Sequence, residues 1–289
     1  MNATHMVWKI RNREPILKAK IVQSIGNNLI AIAICFIMFV PVYLVTVNAL
    51  KDKTEARRMA IQAPTTLHWD NFSAVIDQGN LETAFFNSML YSGGSTVIAT
   101  TFSAMAAYVM SRNKTRLNRF LYFFIIMGIA MPINFFTLSK VMQVTHLINT
   151  QLGIIILYAA TQIPFNTFLV YGFVESLPRE LDEAAVIDGA GPLKLFFSVI
   201  FPLLTPVLAT TALLSFLNTW NDFIFPLYYL NDSTKWPMPL AVYNFFGRYE
   251  SYWNLVSADI VLTILPVIVV YLLGQRFIVS GMTAGSVKG

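Results

Sequence analysis

Few residues in this chain could do bond-making chemistry. The three histidines, His5, His68 and His146, form no His-Glu-x-x-His pattern, so they offer no metal-ligand spacing. Cys35 is the single cysteine and sits in an apolar run, which excludes an intrachain disulfide and leaves it a packing or lipid-facing residue. No glycine is followed by lysine, so the Gly-x-x-x-x-Gly-Lys-Ser/Thr loop that cradles nucleotide phosphates is absent, and ATP hydrolysis has no seat here. The chemically dense stretch is a run of acids, alanines and glycines from Pro178 through Glu180, Asp182, Glu183, Ala184, Ala185, Asp188, Gly189 and Gly191 to Pro192. Its small alanines let another surface come close.

Local physics shapes that run. Pro178 fits the first turn of a helix, Glu180, Asp182 and Glu183 lie where the helix dipole favours negative charge, and Gly189 is a natural terminator. Gly191-Pro192 then restarts the chain as a second helix through Leu195, Phe196 and Val199. The expected product is a helix-turn-helix elbow. On its first helix Leu181, Ala184, Ala185 and Asp188 share one face, and Glu180, Glu183 and Ile187 a neighbouring one. Periodicity alone favours an amphipathic helix lying idle at a membrane surface.

The elements that must carry the elbow are membrane spans. Of the 289 residues 56% are hydrophobic and 12% charged, about half the charge of a soluble domain. Uncharged runs at Leu29–Val47, Phe85–Met110, Phe120–Ser139, Gln151–Val174 and Leu195–Asn221 have spanning length. A sixth, Ile260–Gln275, spans when extended back through Asp259 toward Asn254. The expected fold class is therefore all-α integral membrane with six transmembrane helices. Residues 1–24 form an N-terminal segment, 25–278 the spanning domain with the elbow at 175–202, and 279–289 a tail.

Six spans put both termini on one side. That side carries thirteen Lys and Arg (Lys9, Arg11, Arg13, Lys18, Lys20, Arg112, Lys114, Arg116, Arg119, Arg179, Lys194, Arg276 and Lys288) against seven on the other, so it is expected to be cytoplasmic. The net charge of +5 is thereby explained by topology, and nucleic acid is not an expected partner. Two outer loops are long, Lys51 to Glu82 and Asn231 to Trp253. In the second, Tyr243, Asn244, Phe245 and Phe246 are candidates to touch an extracytoplasmic partner, and an interfacial aromatic belt is the alternative. Polar, uncharged residues in or near the spans, Asn87, Asn134, Asn218 and Asn221, are candidates for a translocation path, although such residues commonly serve helix packing. The absence of ionisable groups near mid-span argues against ion-coupled secondary transport.

Glu183-Ala184-Ala185, three residues, Gly189, nine residues, then Val199, one residue, Phe201 and Pro202 resemble the EAA loop of ABC importer permeases, EAA-x3-G-x9-I-x-L-P, with Val and Phe at two apolar positions. The C-terminus from Gln275 through Gly281, Thr283, Ala284 and Gly285 to Lys288 and Gly289, and the stretch Asn218 to Phe223, resemble permeases for maltose and related oligosaccharides. The resemblance covers nearly the whole chain after the first span. It implies a type I importer permease in the bacterial inner membrane, serving a di- or oligosaccharide or a related solute. Its partners would be two ATPase subunits that bind ATP and Mg, a second homologous permease, an extracytoplasmic sugar-binding protein and membrane lipid, with no cofactor or metal in this chain. It further implies that Glu183, Ala184, Ala185, Asp188, Gly189 and Pro202 belong to the ATPase-coupling elbow, and that Thr283, Ala284, Gly285, Lys288 and Gly289 belong to a tail reaching the ATPase pair.

Overall fold

Leu, Ile, Val, Phe and Ala dominate the long uncharged runs, and in an apolar surround a chain satisfies its backbone polar groups by forming helices. A computed structural model describes residues 13–247 and 251–284, with side-chain surroundings for 23–247 and 251–277. Its main helices are α1 (Arg13–Ala49), α2 (Lys53–Ala56), α3 (Asp70–Gln78), α4 (Leu81–Arg112), α5 (Arg116–Met127), α6 (Phe135–Val144), α7 (Gln151–Ser176), α8 (Glu180–Ile187), α9 (Pro192–Leu203), α10 (Thr205–Asn221), α11 (Ile224–Tyr229), α12 (Met238–Ala241) and α13 (Trp253–Ala284). One antiparallel bridge, Phe246 to Ser251, is the extent of β-structure among the described residues.

Among the described residues three helices are long and apolar enough to cross a membrane: α1 over Gln23–Ala49, α7, and α13 over Trp253–Phe277. The pair α9 and α10 meets the same test together but is bent by 78°. Helix α4, with 32 residues, exceeds the ~20 that a crossing needs. It is less apolar because its buried stripe is Ala84, Ser88, Ser92, Ser95, Ala99, Ser103 and Ala107. Small residues at this spacing let backbones approach closely, and α4 packs on α7 more extensively than any other two elements pack. The two run parallel. Gln151 at the start of α7 donates to Asn87 Oδ1 (3.0 Å) near the start of α4, and Arg112 at the end of α4 donates to Leu177 O (3.2 Å) just past the end of α7.

The expected third span, Phe120–Ser139, is not continuous. Helix α5 stops at Met127 and α6 starts at Phe135, because Pro132 disfavours helix in the residue before it and Asn134 caps the new helix by accepting from Thr137 N (3.0 Å). Gly128 ends α5 against α7, where an added Cβ would come within 2.9 Å of Pro164.

The expected fifth span, Leu195–Asn221, is likewise two helices. Pro206 has no N–H for the Pro202 carbonyl, which accepts from the Thr205 hydroxyl instead (2.6 Å), and the chain turns at Leu204. Only α10 continues into the bundle, where it packs against α4 and α13.

The first span extends further back than expected, since α1 already runs from Arg13. The sixth begins at Trp253, and Asp259 is buried in its second turn. It also runs on through residues expected in the tail: Thr283 and Ala284 end α13, while Gly285, Lys288 and Gly289 lie outside the described residues.

At the end of the bundle away from α8, the stretch expected as a 23-residue loop is a folded cap. Asp232 starts a short 3₁₀ turn over Ser233–Lys235, and the Thr234 hydroxyl and then its amide hold the Asp232 carboxyl below the usual carboxylate range. Lys235 O accepts from Tyr91 Oη (2.8 Å), and Trp236 O and Thr234 O accept from Asn87 Nδ2 (3.2 and 2.9 Å). Met238, Leu240, Ala241 and Phe245 are buried, and the Phe245 ring lies where a Cβ on Gly79 would be 2.9 Å away. Asn71 ties three elements at this end: its amide donates to Ala49 O (2.9 Å) and Lys51 O (2.8 Å), and its Oδ1 accepts from Asn254 (2.8 Å). Because Phe245 is a core side chain, Phe245→Ala should cost about 3 kcal/mol or more, against about 1 kcal/mol for the half-exposed Phe246→Ala. Thermal unfolding of the two full-length variants in detergent checks this ordering.

Candidate functional site

The elbow forms as its residue types require. Helix α8 opens with Glu180, Asp182 and Glu183 in its first turn and ends in a Schellman motif, in which Ala190 N donates to Ala185 O (2.9 Å) and Gly189 N to Val186 O (3.0 Å). Gly189 has φ of +77°, a conformation that costs any residue with a Cβ. Gly191 caps α9 and Pro192 takes its first position. Helix α9 is π-helical over Leu195–Ile200, a widening often found in functional segments.

The elbow's inner side is anchored in its own chain. Ala185 is 8% exposed and packs with Ala104, Ala107, Val170, Val174, Phe196, Ile200 and Leu204. Its small size therefore serves close approach of α8 to α4, α7 and α9, and it does not share an outward face with Leu181, Ala184 and Asp188. Asp182 is the polar anchor. Its Oδ1 accepts from Tyr108 Oη at 2.5 Å and its Oδ2 lies 2.9 Å from Arg112, a contact of charge without an aligned hydrogen bond. Arg112 also donates to Leu177 O (3.2 Å) and Pro178 O (3.4 Å), so one guanidinium joins the end of α4 to the residues entering α8. Neither Tyr108 nor Arg112 is singled out by sequence reasoning, because the acid that unites them lies about seventy residues further along.

The outer side is free. Glu183, Ala184, Asp188, Gly189 and Pro202 are exposed, as are three apolar side chains: Val186 (60%), Ile187 (84%) and Leu193 (70%). Together they put apolar side chains beside carboxylates on the elbow. Elsewhere the candidates divide. Asn87 is buried and spent on the cap, Asn134 is the α6 cap, and Asn221 donates to Leu217 O (2.8 Å). Asn218 lines a recess of ≈ 320 Å³ with Thr161, Gln162, Phe165, Asn166, Leu214 and Ser215. In the cap, Tyr243 and Phe246 are exposed, Asn244 is exposed and donates to Gly79 O (3.1 Å), and Phe245 points into the core. No cluster of three or more His, Cys, Asp or Glu that could hold a metal exists among the described residues.

An anchored elbow beneath a parallel α4–α7 pair defines a class of membrane transport subunit, and comparison with known proteins places the chain within it. Residues 97–283 match the family described as the binding-protein-dependent transport system inner membrane component, and the chain belongs to that family. It is 33% identical over 264 residues to the melibiose/raffinose/stachyose import permease protein MelC of Bacillus subtilis (strain 168), covering 90% of this chain and 95% of the relative. It is 32% identical over 283 residues to the trehalose/maltose transport system permease protein MalG of Thermococcus litoralis, covering 96% and 99%. In fold it resembles a chain from a crystal structure of a bacterial ABC transporter involved in the import of the acidic polysaccharide alginate, with a TM-score of 0.78 at 23% identity over 89% of this chain and 97% of that one. The resemblance to carbohydrate importer permeases read from the elbow and tail thus extends over the chain, and the all-α type I importer fold is present.

Burial makes a direct prediction for the elbow. Ala185→Leu should destabilise the isolated chain by about 1–3 kcal/mol through overpacking, whereas Ala184→Leu and Val186→Leu should stay within about 0.5 kcal/mol. Thermal unfolding of the chain without partners checks it, since a role confined to a partner contact would leave all three variants alike.

Proposed function

We propose that the chain is one of two permease subunits of an ABC importer for a di- or oligosaccharide, with the elbow as the point at which ATPase subunits drive it. The observation that carries this reading is the apolar tip of Val186, Ile187 and Leu193, held out of the chain by the Asp182 anchor and ringed by Glu180, Glu183 and Asp188. An apolar tip with an acidic rim suits a cleft with an apolar floor and basic edge, and an ATPase subunit is the occupant that the EAA spacing and the family point to. The two ATPase subunits bind ATP and Mg, and this chain supplies neither ligand. On this reading the elbow end and both termini are cytoplasmic, in agreement with the excess of Lys and Arg there. Closure of the ATPase pair moves the elbow, and the Arg112–Asp182 link passes that motion to α4.

The sugar preference is supported by the substrates in the relatives' names and by the Asn218 recess. Its amides and hydroxyls with an exposed Phe165 suit a polyhydroxylated ring, which offers many hydrogen-bonding groups and an apolar face. The tail that begins at Thr283 and Ala284 leads toward the ATPase pair, and the cap at the opposite end meets an extracytoplasmic sugar-binding protein through Tyr243, Asn244 and Phe246. Phe245 contributes by holding that surface in place.

Two measurements test these assignments. Glu183→Ala combined with Ile187→Ser should weaken retention of the copurifying ATPase subunit by about tenfold or more, because an exposed apolar anchor and its neighbouring charge are both lost. Folding should be unaffected, since both side chains are exposed, and equal retention by parent and variant would remove the docking assignment. For the far end, Tyr243→Ser with Phe246→Ser should lower the stimulation of ATP hydrolysis by sugar-loaded binding protein severalfold while basal hydrolysis persists. Deletion of 283–289 should lower the same stimulation from the other end. Parent-level stimulation in either variant removes the corresponding contact.

A further inference from the structure

A recess of ≈ 310 Å³ opens beside the elbow's anchor, lined by Ser111, Arg112, Lys114, Glu175, Leu177 and Arg179. Three of its six lining residues are cationic and one is acidic. Two donors on its lining residues are buried and have no hydrogen-bond partner among the described residues: the Ser111 hydroxyl, on a residue only 1% exposed, and Nε of Arg112, whose side chain is 14% exposed. Nη1 and Nη2 of Arg112 donate to Leu177 O and Pro178 O, and Nη2 lies beside Asp182, whereas Nε has no such partner. Arg179 is exposed and has no acid within ion-pair distance among the described residues. Lys114 lies 2.9 Å from Glu175, but that pair is about half exposed and holds the ammonium weakly.

A buried donor without an acceptor is costly, and two neighbouring ones beside an unspent cation indicate a missing acceptor with negative charge. We propose that this recess binds a phosphate oxyanion. A phosphate presents several acceptor oxygens in tetrahedral directions, so it can accept from the Ser111 hydroxyl and Arg112 Nε while facing Arg179. Charge-assisted hydrogen bonds of this kind are the strong ones, and arginine is well suited to phosphate. The recess also has room, since a liquid water takes about 30 Å³.

The same chemistry has two sources. One is the headgroup of an anionic phospholipid. Arg116 and Arg119 are exposed immediately beyond the recess, beside exposed Leu117, Phe120, Phe123 and Phe124, which is the arrangement of a helix lying at a bilayer boundary. The other is free phosphate or a phosphorylated solute. The inference rests on the recess itself and does not depend on the transport assignment.

The test uses the full-length chain with its copurifying subunits, stripped of lipid in detergent. Short-chain phosphatidylglycerol and inorganic phosphate are titrated separately into the parent, into a Ser111→Ala plus Arg179→Gln variant, and into a Lys140→Gln control, which removes an exposed cation far from the recess. Parent and variants are matched beforehand for thermal midpoint, which exposed Arg179 and the small change at Ser111 should leave near the parent's. Affinity should fall about tenfold in the recess variant and stay at parent level in the control, in line with loss of a charged contact and a hydrogen bond. A fall confined to phosphatidylglycerol identifies the headgroup as the source, and a fall in phosphate affinity identifies the soluble anion. If neither ligand distinguishes the recess variant from the parent, or if the control falls equally, the proposal is overturned and water fills the recess.

Discussion

Because α4 and α7 run parallel and pack along their length, both helices deliver their C-terminal ends to the same place, and the elbow is built from what arrives there. Helices approach closely where side chains are small, and the buried small residues of α4 from Ala84 to Ala107 supply that condition toward the cap at Ser88, α10 at Ser95 and α7 at Ser103. These serines remain hydrogen-bonding groups in an apolar surround. Ser95 meets Thr219 Oγ1 at 3.3 Å and Ser103 donates to Ile163 O at 3.3 Å, so part of what looks like polar residue in a span is packing. A bulky apolar residue at Ser103, which meets Ile163 of α7, would part α4 from α7 and move Arg112 away from Asp182. The site therefore depends on a contact that begins far from it.

The Arg112–Asp182 pair also has to be weighed by burial. At 14% and 17% side-chain exposure it is neither a solvated surface pair worth almost nothing nor a fully buried one whose desolvation cancels its attraction. Its value lies mainly in geometry. Tyr108, Arg112 and Asp182 fix the entry to α8 while the Schellman motif at Gly189 and the bend at Leu204 fix its exit. An eight-residue helix has little stability of its own, so these three constraints, with Ala185 in the core beneath, are what make it a defined shape.

Sequence signals of short range were the legible ones. Pro178, the first-turn acids, Gly189 and Gly191-Pro192 each act within a few residues, and they give the elbow's helices and turn nearly as found. The long apolar runs were legible for the same reason. What escaped was anything set by contacts between distant segments. The face of α8 that points inward is decided by α4 and α7, so periodicity could group Ala184 with Ala185 but could not tell that Ala185 alone is buried. The breaks at Gly128 to Asn134 and at Leu204 are carried by Pro132 and by Pro202 with Pro206. These prolines are local signals that apolar length alone does not register. In the cap, aromatic density marks the stretch as unusual, yet which aromatic faces inward depends on Gly79, more than 160 residues away.

The distribution of exposed apolar surface gives the last step. Over its apolar window α1 is 6% buried, which suits a helix facing lipid or another membrane subunit. Exposure of Val186, Ile187 and Leu193 has no such explanation, because these side chains sit on an elbow among carboxylates beyond the ends of the bundle. The Asn218 recess poses the opposite problem. It gathers Gln162, Asn166 and Ser215, and Gln162 Oε1 has no hydrogen-bond partner although Nε2 of the same amide donates to Thr219 Oγ1 at 2.5 Å. Polar groups at membrane depth are tolerated where they meet protein or line a water-filled cavity, and a face open to hydrocarbon provides neither. Asn218, Thr161 and Phe165 are exposed on this chain, so a second wall is needed to keep lipid out, and a paired permease would supply it. Apolar surface exposed where water is expected and polar surface exposed where lipid is expected thus lead to the same conclusion: the chain is one part of a larger assembly.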